Sequence, residues 1–233
     1  MEQPFLSCVC PTKNRRRFMA ESLRRFLAQD YAGRTELVIV EDGDEDVSDL
    51  ATCANVGFQK IRYFRHEATL GAKLNFGAQQ ARGEIIANWD DDDQYAPDRL
   101  RKQLAHMHLT GKPVVALSSF LCFREGDAHG WEYTGDGWYG GGATQMYRRD
   151  WALAHPHPDI TMAEDVHYMR IAHASGDLSV MTGLDVLVVR DHSANTCPRD
   201  DKQLLGVTID GHQFTCDNWR KVPLERIQAV IGR

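Results

Sequence analysis

The sequence predicts an α/β fold in which a mostly parallel central sheet carries helices on both faces. Three observations point there. Phe5-Leu6-Ser7-Cys8-Val9-Cys10, Leu37-Val38-Ile39-Val40 and Ile85-Ile86-Ala87-Asn88-Trp89 are apolar runs with little polar alternation, as in strands buried on both faces. Segments of helical period separate such runs. Each of the three runs stops on polar residues: Pro11-Thr12-Lys13-Asn14, Glu41-Asp42-Gly43 and Asp90-Asp91-Asp92-Asp93. In an open parallel sheet the strand ends line the ligand crevice, so these three loops are expected to share one cleft.

Taken in order, the first strand closes at Pro11 and a helix follows with Met19, Leu23, Phe26 and Leu27 on one face. Tyr31-Ala32-Gly33 ends it ahead of the strand at 37–40. Ile61-Arg62-Tyr63-Phe64 is a third strand. Leu70 to Arg82 has a helical pattern weakened by Gly71 and Gly77, each up to about 1 kcal/mol worse than alanine, and Gly83 closes it. The fourth strand delivers the acidic run. Pro97 starts a helix with Leu100, Leu104 and Met107 in register. A strand from Val114 to about Phe123 leads to a hairpin turn at 125–130, then to the glycine-rich stretch 135–142 and a short strand from Thr144 to Tyr147. A helix with Met162, Val166 and Met169 on its apolar face, a last strong strand at 184–189 and a weakly amphipathic helix from Pro223 to Ile231 complete the chain. At 233 residues it fits a single domain with a first half at 1–110, a second at 111–200 and a tail at 201–233.

A formal charge of −6 offers no surface for nucleic acid or an anionic membrane, and the arginines at 15–17, 24 and 25 are too local to supply one. The six cysteines lack Cys-x-x-Cys spacing and read as reduced thiols of a cytoplasmic protein. The N-terminus has no signal-peptide pattern, and no apolar run approaches spanning length. Work at a membrane would therefore be peripheral or through a partner. No dinucleotide fingerprint or Walker-type loop follows a strand, which argues against a nicotinamide enzyme and a P-loop hydrolase.

The run Asp90 to Asp93 is the strongest chemical signal. Adjacent carboxylates repel, and burying one without a partner is costly. A solvated acidic turn is the bland alternative, but the run abuts a buried strand. That placement favours a divalent-cation site, and oxygen-only ligands select Mg²⁺ or Mn²⁺.

From Phe5 to about Thr196 the chain resembles the family 2 glycosyltransferases, which have the Rossmann-like glycosyltransferase A-type fold. The resemblance is carried by Cys10-Pro11-Thr12-Lys13-Asn14-Arg15, Val38-Ile39-Val40-Glu41-Asp42-Gly43, Ala81-Arg82-Gly83-Glu84-Ile85-Ile86 and the acidic run with Pro97 behind it. Gly140-Gly141-Gly142 ahead of Tyr147-Arg148-Arg149, and then Glu164-Asp165, extend it. Each motif is weak alone; their order and spacing make the match specific.

The resemblance implies an inverting, metal-dependent, non-processive transfer of one sugar from a nucleoside-diphosphate sugar, with UDP-sugar the expected donor. The acceptor hydroxyl would belong to a glycan, a lipid-linked molecule or a small molecule. Pro11, Thr12, Asn14 and Arg15 would belong to the donor site, as would Glu41, Asp42, Lys73, Asn75, Asp90 and Asp91. Pro11 and Thr12 would hold base and ribose, and Asp42 would accept the imide N–H of uracil; otherwise Asp42 is a turn aspartate before Gly43. Asp92 and Asp90 would hold Mn²⁺ or Mg²⁺, with Asp91 nearer the ribose and Asp93 either part of the run or a helix cap. His192 is a further candidate ligand, or a structural histidine.

Asp165 would be the general base, with Glu164 beside it. Thr161-Met162-Ala163-Glu164 also fits a capping box, which would make Glu164 structural. Trp138, Tyr139, Gly141 and Gly142 would line the sugar and acceptor site, or the two aromatics would simply pack. Two departures stand out. Lys13 occupies a position where the family commonly has an aromatic residue, and Leu74 stands where it has an arginine, leaving Lys73 as a point charge for the diphosphate. A nucleotidyltransferase and a non-catalytic sugar-nucleotide or glycan-binding module of the same fold are the alternatives.

Overall fold

A computed structural model describes residues 3–53, 59–135, 137–195, 206–209, 212–215 and 218–232. The chain opens with β1 (Leu6–Thr12), α1 (Arg16–Leu27), β2 (Thr35–Glu41), α2 (Ser48–Cys53), β3 (Gln59–Arg65), α3 (Leu70–Gln80) and β4 (Ile85–Asn88). Next come β5 (Gln94–Tyr95), α4 (Arg99–Thr110), β6 (Val114–Arg124), β7 (His129–Thr134) and a 3₁₀ turn at Gly142–Thr144. β8 (Met146–Arg148), α5 (Arg149–Ala154), α6 (Glu164–Ala174), β9 (Leu178–Thr182) and β10 (Leu187–Asp191) follow. The chain closes with β11 (Gly206–Ile209), β12 (His212–Thr215), β13 (Trp219–Pro223) and α7 (Leu224–Ile231).

The main sheet is mixed, in the order β13-β7-β6-β8-β4-β1-β2-β3, with β9 and β10 also pairing β6 and β5 pairing β10. β1 lies between β2 and β4 and is parallel to both, and β3 continues the parallel run. β8 is antiparallel to β4 and to β6, and so joins the two halves of the sheet. Thr12 lies beside Glu41, and the Trp89 N–H donates to the Val9 carbonyl at 2.8 Å. The strand ends are thereby aligned, and the loops after β1, β2 and β4 open on one edge, as expected for a parallel sheet.

The strand pleat sorts β1 between two cores. Leu6, Cys8 and Cys10 pack with Met19, Leu23 and Phe26 of α1 and with Leu100, Leu104 and Met107 of α4. Val9 faces the other layer, with Leu74 and Ala78 of α3 and Val166 and Met169 of α6. Cys8 and Cys10 are therefore core residues, and burial pushes the Cys8 thiol up to about 12. The two glycines that weaken α3 as a helix have a packing reason. A Cβ at Gly77 would sit 2.3 Å from Val9, and one at Gly71 would sit 1.9 Å from the Pro158 carbonyl oxygen. The backbone of α3 must lie directly on β1 and on the 155–160 loop.

Several expectations are corrected. The strand expected from Thr144 begins at Met146, because residues 142–144 form the 3₁₀ turn. The strand expected at 184–189 starts at Leu187, after a turn closed by Val186 N–H on the Gly183 carbonyl, and β13 follows it in the same sheet. Helix α6 begins at Glu164 behind Ala163, which has φ 64° and provides no side-chain cap; Thr161 to Glu164 is therefore not a capping box. Met162 precedes the helix and is exposed. Among the described residues no helix is long and apolar enough to cross a membrane.

Candidate active site

A cleft of about 330 Å³ opens at the aligned strand ends. Pro11, Thr12, Lys13 and Arg15 line it from the end of β1 and the turn after it, Asp42 from the end of β2, and Asp90 and Asp91 from beyond β4. Leu70 and Lys73 of α3 face them, and Thr161 and Ala194 close the rim. Neither was expected at the donor cleft: the pattern at Thr161 reads as a helix cap, and Ala194 is a small apolar residue in a loop.

The remaining donor-site candidates shape the cleft without lining it. Asn14, at φ 53°, uses its side-chain oxygen to accept the N–H groups of Asp44 and Glu45 at 2.6 and 3.2 Å. That bond ties the loop after β1 to the loop after β2. Glu41 is buried and accepts the Tyr63 hydroxyl at 2.5 Å. Asn75 exchanges two hydrogen bonds with the backbone of His157, both at 2.8 Å. Lys73 is paired with Asp42 at 2.8 Å and reaches the Thr12 carbonyl at 3.4 Å, while the exposed Lys13 approaches Asp42 from outside at 3.4 Å. Lys73 thus lines the cleft from beside Asp42.

The acidic run is held from several sides. Asp91 accepts the Thr12 hydroxyl at 2.5 Å and the Arg15 guanidinium at 3.0 Å. Arg15 also reaches Asp92 at 2.9 Å and the Ala194 carbonyl at 2.6 Å. His192 Nε2 lies 3.0 Å from the same Asp92 oxygen, its ring packed on Phe18 at 4.4 Å. The Asp90 N–H donates to the Tyr95 hydroxyl. Asp93 does not cap α4; it accepts the Arg190 N–H at 3.0 Å. Its carboxylate joins those of Asp90 and Asp92 in a group whose oxygens lie within 4.8 Å of one another.

Burial, and then the neighbouring Asp92, raises Asp90 to about 7 and Asp91 to about 6. A buried, all-oxygen, charge-frustrated group of this kind fits a hard divalent cation. Asp90, Asp92 and Asp93 would hold it, and His192 contacts the group through Asp92.

Beside the glycine turn, the Asp165 side chain accepts three hydrogen bonds among the described residues. Tyr139 donates its hydroxyl at 2.6 Å and Gly142 its N–H at 3.0 Å to Oδ2, and Val166 donates its N–H at 2.8 Å to Oδ1. A carboxylate has about four acceptor sites, so one remains for a proton. Tyr139 is buried and donates its hydroxyl to Asp165, so it positions that carboxylate. Its neighbour Trp138 is half-buried and packs near His173, with ring centroids 6.0 Å apart. Gly141 and Gly142 form the start of the 3₁₀ turn beside Glu164 and Asp165.

Glu164 is buried, and its carboxyl is pushed up to about 9, first by desolvation and then by the charge of Asp165. At this group the folded state therefore binds more protons than the unfolded chain from about pH 4.5 to about 9, and its contribution to stability falls as pH rises through that window. Glu164→Gln should raise the unfolding temperature at pH 8, by about 2–4 °C for each kcal/mol relieved, with the gain fading toward pH 5. Parallel melting profiles for the two proteins from pH 5 to pH 9 would refute this.

The comparisons with known proteins converge. The model of the family described as "Glycosyl transferase family 2" matches residues 7–167. The putative colanic acid biosynthesis glycosyl transferase WcaA of Escherichia coli K12 is 33% identical over 128 residues, covering 52% of this chain and 45% of that protein. An uncharacterized glycosyltransferase of Rickettsia felis is 33% identical over 102 residues, 43% of this chain but 17% of that protein. The matched stretches thus span 15% to 45% of the length of the curated relatives. Among solved structures, S. aureus TarS 1–349 in complex with UDP-GlcNAc gives a TM-score of 0.66 at 17% identity, over 84% of this chain and 60% of that one. The mannosyltransferase PcManGT from Pyrobaculum calidifontis, in complex with GDP-Man and Mn²⁺, gives 0.61 at 19% identity, over 84% and 59%. At such identities the likeness is one of fold, that of the A-type glycosyltransferases.

Proposed function

The chain belongs to glycosyl transferase family 2, and from that premise we propose that it transfers one sugar from a nucleoside-diphosphate sugar to an acceptor hydroxyl with inversion at the anomeric carbon. The observation that carries this is the presence of two separate carboxylate groups. The Asp90–Asp93 run borders a nucleotide-sized cleft, and Asp165 stands apart from it beside the glycine turn. Asp165 takes the acceptor proton as the acceptor oxygen bonds to the anomeric carbon and the bond to the diphosphate oxygen breaks. A single displacement of this kind inverts configuration. Thr12 and Arg15 hold the donor side of the cleft through Asp91 and Asp92. Mn²⁺ or Mg²⁺, held by Asp90, Asp92 and Asp93, would neutralise charge on the leaving diphosphate.

The Asp42–Lys73 pair supports a base with an N–H beside a carbonyl, as in uracil or guanine, over cytosine. An imide edge offers an N–H to the carboxylate and a carbonyl oxygen to the ammonium, whereas N3 of cytosine carries no proton. TarS was solved with UDP-GlcNAc and PcManGT with GDP-Man and Mn²⁺, so both donor classes belong in the test. Incubation with Mn²⁺ and UDP-glucose, UDP-N-acetylglucosamine or GDP-mannose, with glycan and lipid-linked acceptors supplied, should release UDP faster than GDP. No nucleotide release from any of them would contradict the proposal. Pyrophosphate release from a nucleoside triphosphate would point to nucleotidyl transfer instead.

A further inference from the structure

The 3₁₀ turn at 142–144 joins the two sides of the site, and its three consecutive carbonyls are each taken by a different buried side chain. Asn88 Nδ2 donates to Gly142 at 3.0 Å, Arg99 Nη2 to Ala143 at 2.8 Å and Gln103 Nε2 to Thr144 at 2.8 Å. All three side chains are essentially inaccessible. They come from the elements that bracket the acidic run: Asn88 ends β4 two residues before Asp90, and Arg99 and Gln103 lie one turn apart at the start of α4. The opposite side of the same turn presents the Gly142 N–H to Asp165.

Arg99 is an unusual choice for such a place. Its guanidinium is fully buried, stacked 4.1 Å from the Tyr95 ring, and among the described residues it has no carboxylate at ion-pair distance. Its Nε donates to Gln103, its Nη2 is shared between the Asn88 and Ala143 carbonyls, and among the described residues its Nη1 has no partner. A buried cation with only neutral acceptors is a poor way to gain stability. The same planar fork is well suited to fixing two backbone segments relative to each other. One carbonyl belongs to the strand that carries the acidic run and the other to the turn that carries the Asp165 contact.

We propose that Arg99 and Gln103 are positioning residues, holding the 142–144 turn so that Asp165 keeps a fixed distance from the Asp90–Asp93 run. This rests on Asp165 being the base. The clamp touches neither nucleotide nor acceptor, and it acts on turnover more than on donor binding.

The test uses Gln103→Met, which keeps bulk and removes the bond to Thr144, and Arg99→Lys, which keeps the charge and removes the fork. UDP release from UDP-N-acetylglucosamine with Mn²⁺ gives kcat and KM, and titration with UDP and Mn²⁺ gives donor-side affinity. The expected result is a kcat at least tenfold lower, with KM and the UDP dissociation constant within about threefold of wild type. Gln103→Met should also have little further effect in an Asp165→Asn background, since both act through one carboxylate. Wild-type kcat in both variants, or a loss that multiplies fully with Asp165→Asn, overturns the proposal. So do losses of affinity and kcat that merely follow a lowered unfolding temperature. Failure of the underlying reading is distinguishable, because Asp165→Asn alone would then turn over at a near-wild-type rate, and the proposal would fall with it.

Discussion

Asp165→Asn is expected to lower the rate of sugar transfer by about 10²–10⁴-fold while donor binding stays within about twofold of wild type. The substitution is nearly isosteric, and the amide oxygen can still accept from Tyr139 and from the Gly142 N–H, which are the contacts that place the side chain. What is lost is the acceptor site for a proton, so the effect falls on the chemical step. The change has to be read in kcat, with UDP affinity as the control. Near-wild-type turnover would remove Asp165 as the base and shift attention to Glu164, which carries its own proton at neutral pH and is poorly suited to the role.

Asp92→Ala is the second large effect expected. Asp92 accepts from Arg15 and from His192 and contributes to the carboxylate group. On the proposed assignment its loss removes a direct ligand of the cation, and it leaves Arg15 and the buried His192 without their shared acceptor. Loss of an outer-sphere contact typically weakens metal binding by 10–100-fold, so loss of a ligand should exceed about 10²-fold in Mn²⁺-dependent UDP affinity. The fold should survive, because removing one of several crowded carboxylates relieves repulsion that offsets the broken pairs. A wild-type Mn²⁺ response in this variant would show that the cation is held elsewhere.

The parallel half of the fold was legible because its strands are buried on both faces, and unbroken apolar runs such as Leu37 to Val40 have few other uses. The other half was harder to read. β8 has three residues, β5 two, and β9 is only half-buried, too short or too mixed for a period to register. The site divides in the same way. Carboxylates at strand ends announce themselves, since Asp42 and the 90–93 run interrupt apolar segments with charge. Tyr139 was visible, but its partner was not, because a contact between residues 139 and 165 depends on where the glycine turn settles. Arg99 and Gln103 were missed altogether, since an arginine and a glutamine near a helix start read as solvent-facing. Their one signal is a four-residue spacing beside the stripe of Leu100, Leu104 and Met107. The capping-box pattern at Thr161 misled because Ala163 adopts a left-handed conformation that no propensity favours.

The central claim is that the acidic run and the Asp42 loop together bind a nucleoside diphosphate through a divalent cation. Calorimetric titration of UDP into the wild-type protein, once with Mn²⁺ and once with EDTA, tests it most directly. A dissociation constant at least tenfold tighter with Mn²⁺ is predicted, corresponding to about 1.4 kcal/mol or more of added binding free energy. Equal affinity in the two titrations, or no binding in either, would contradict the account.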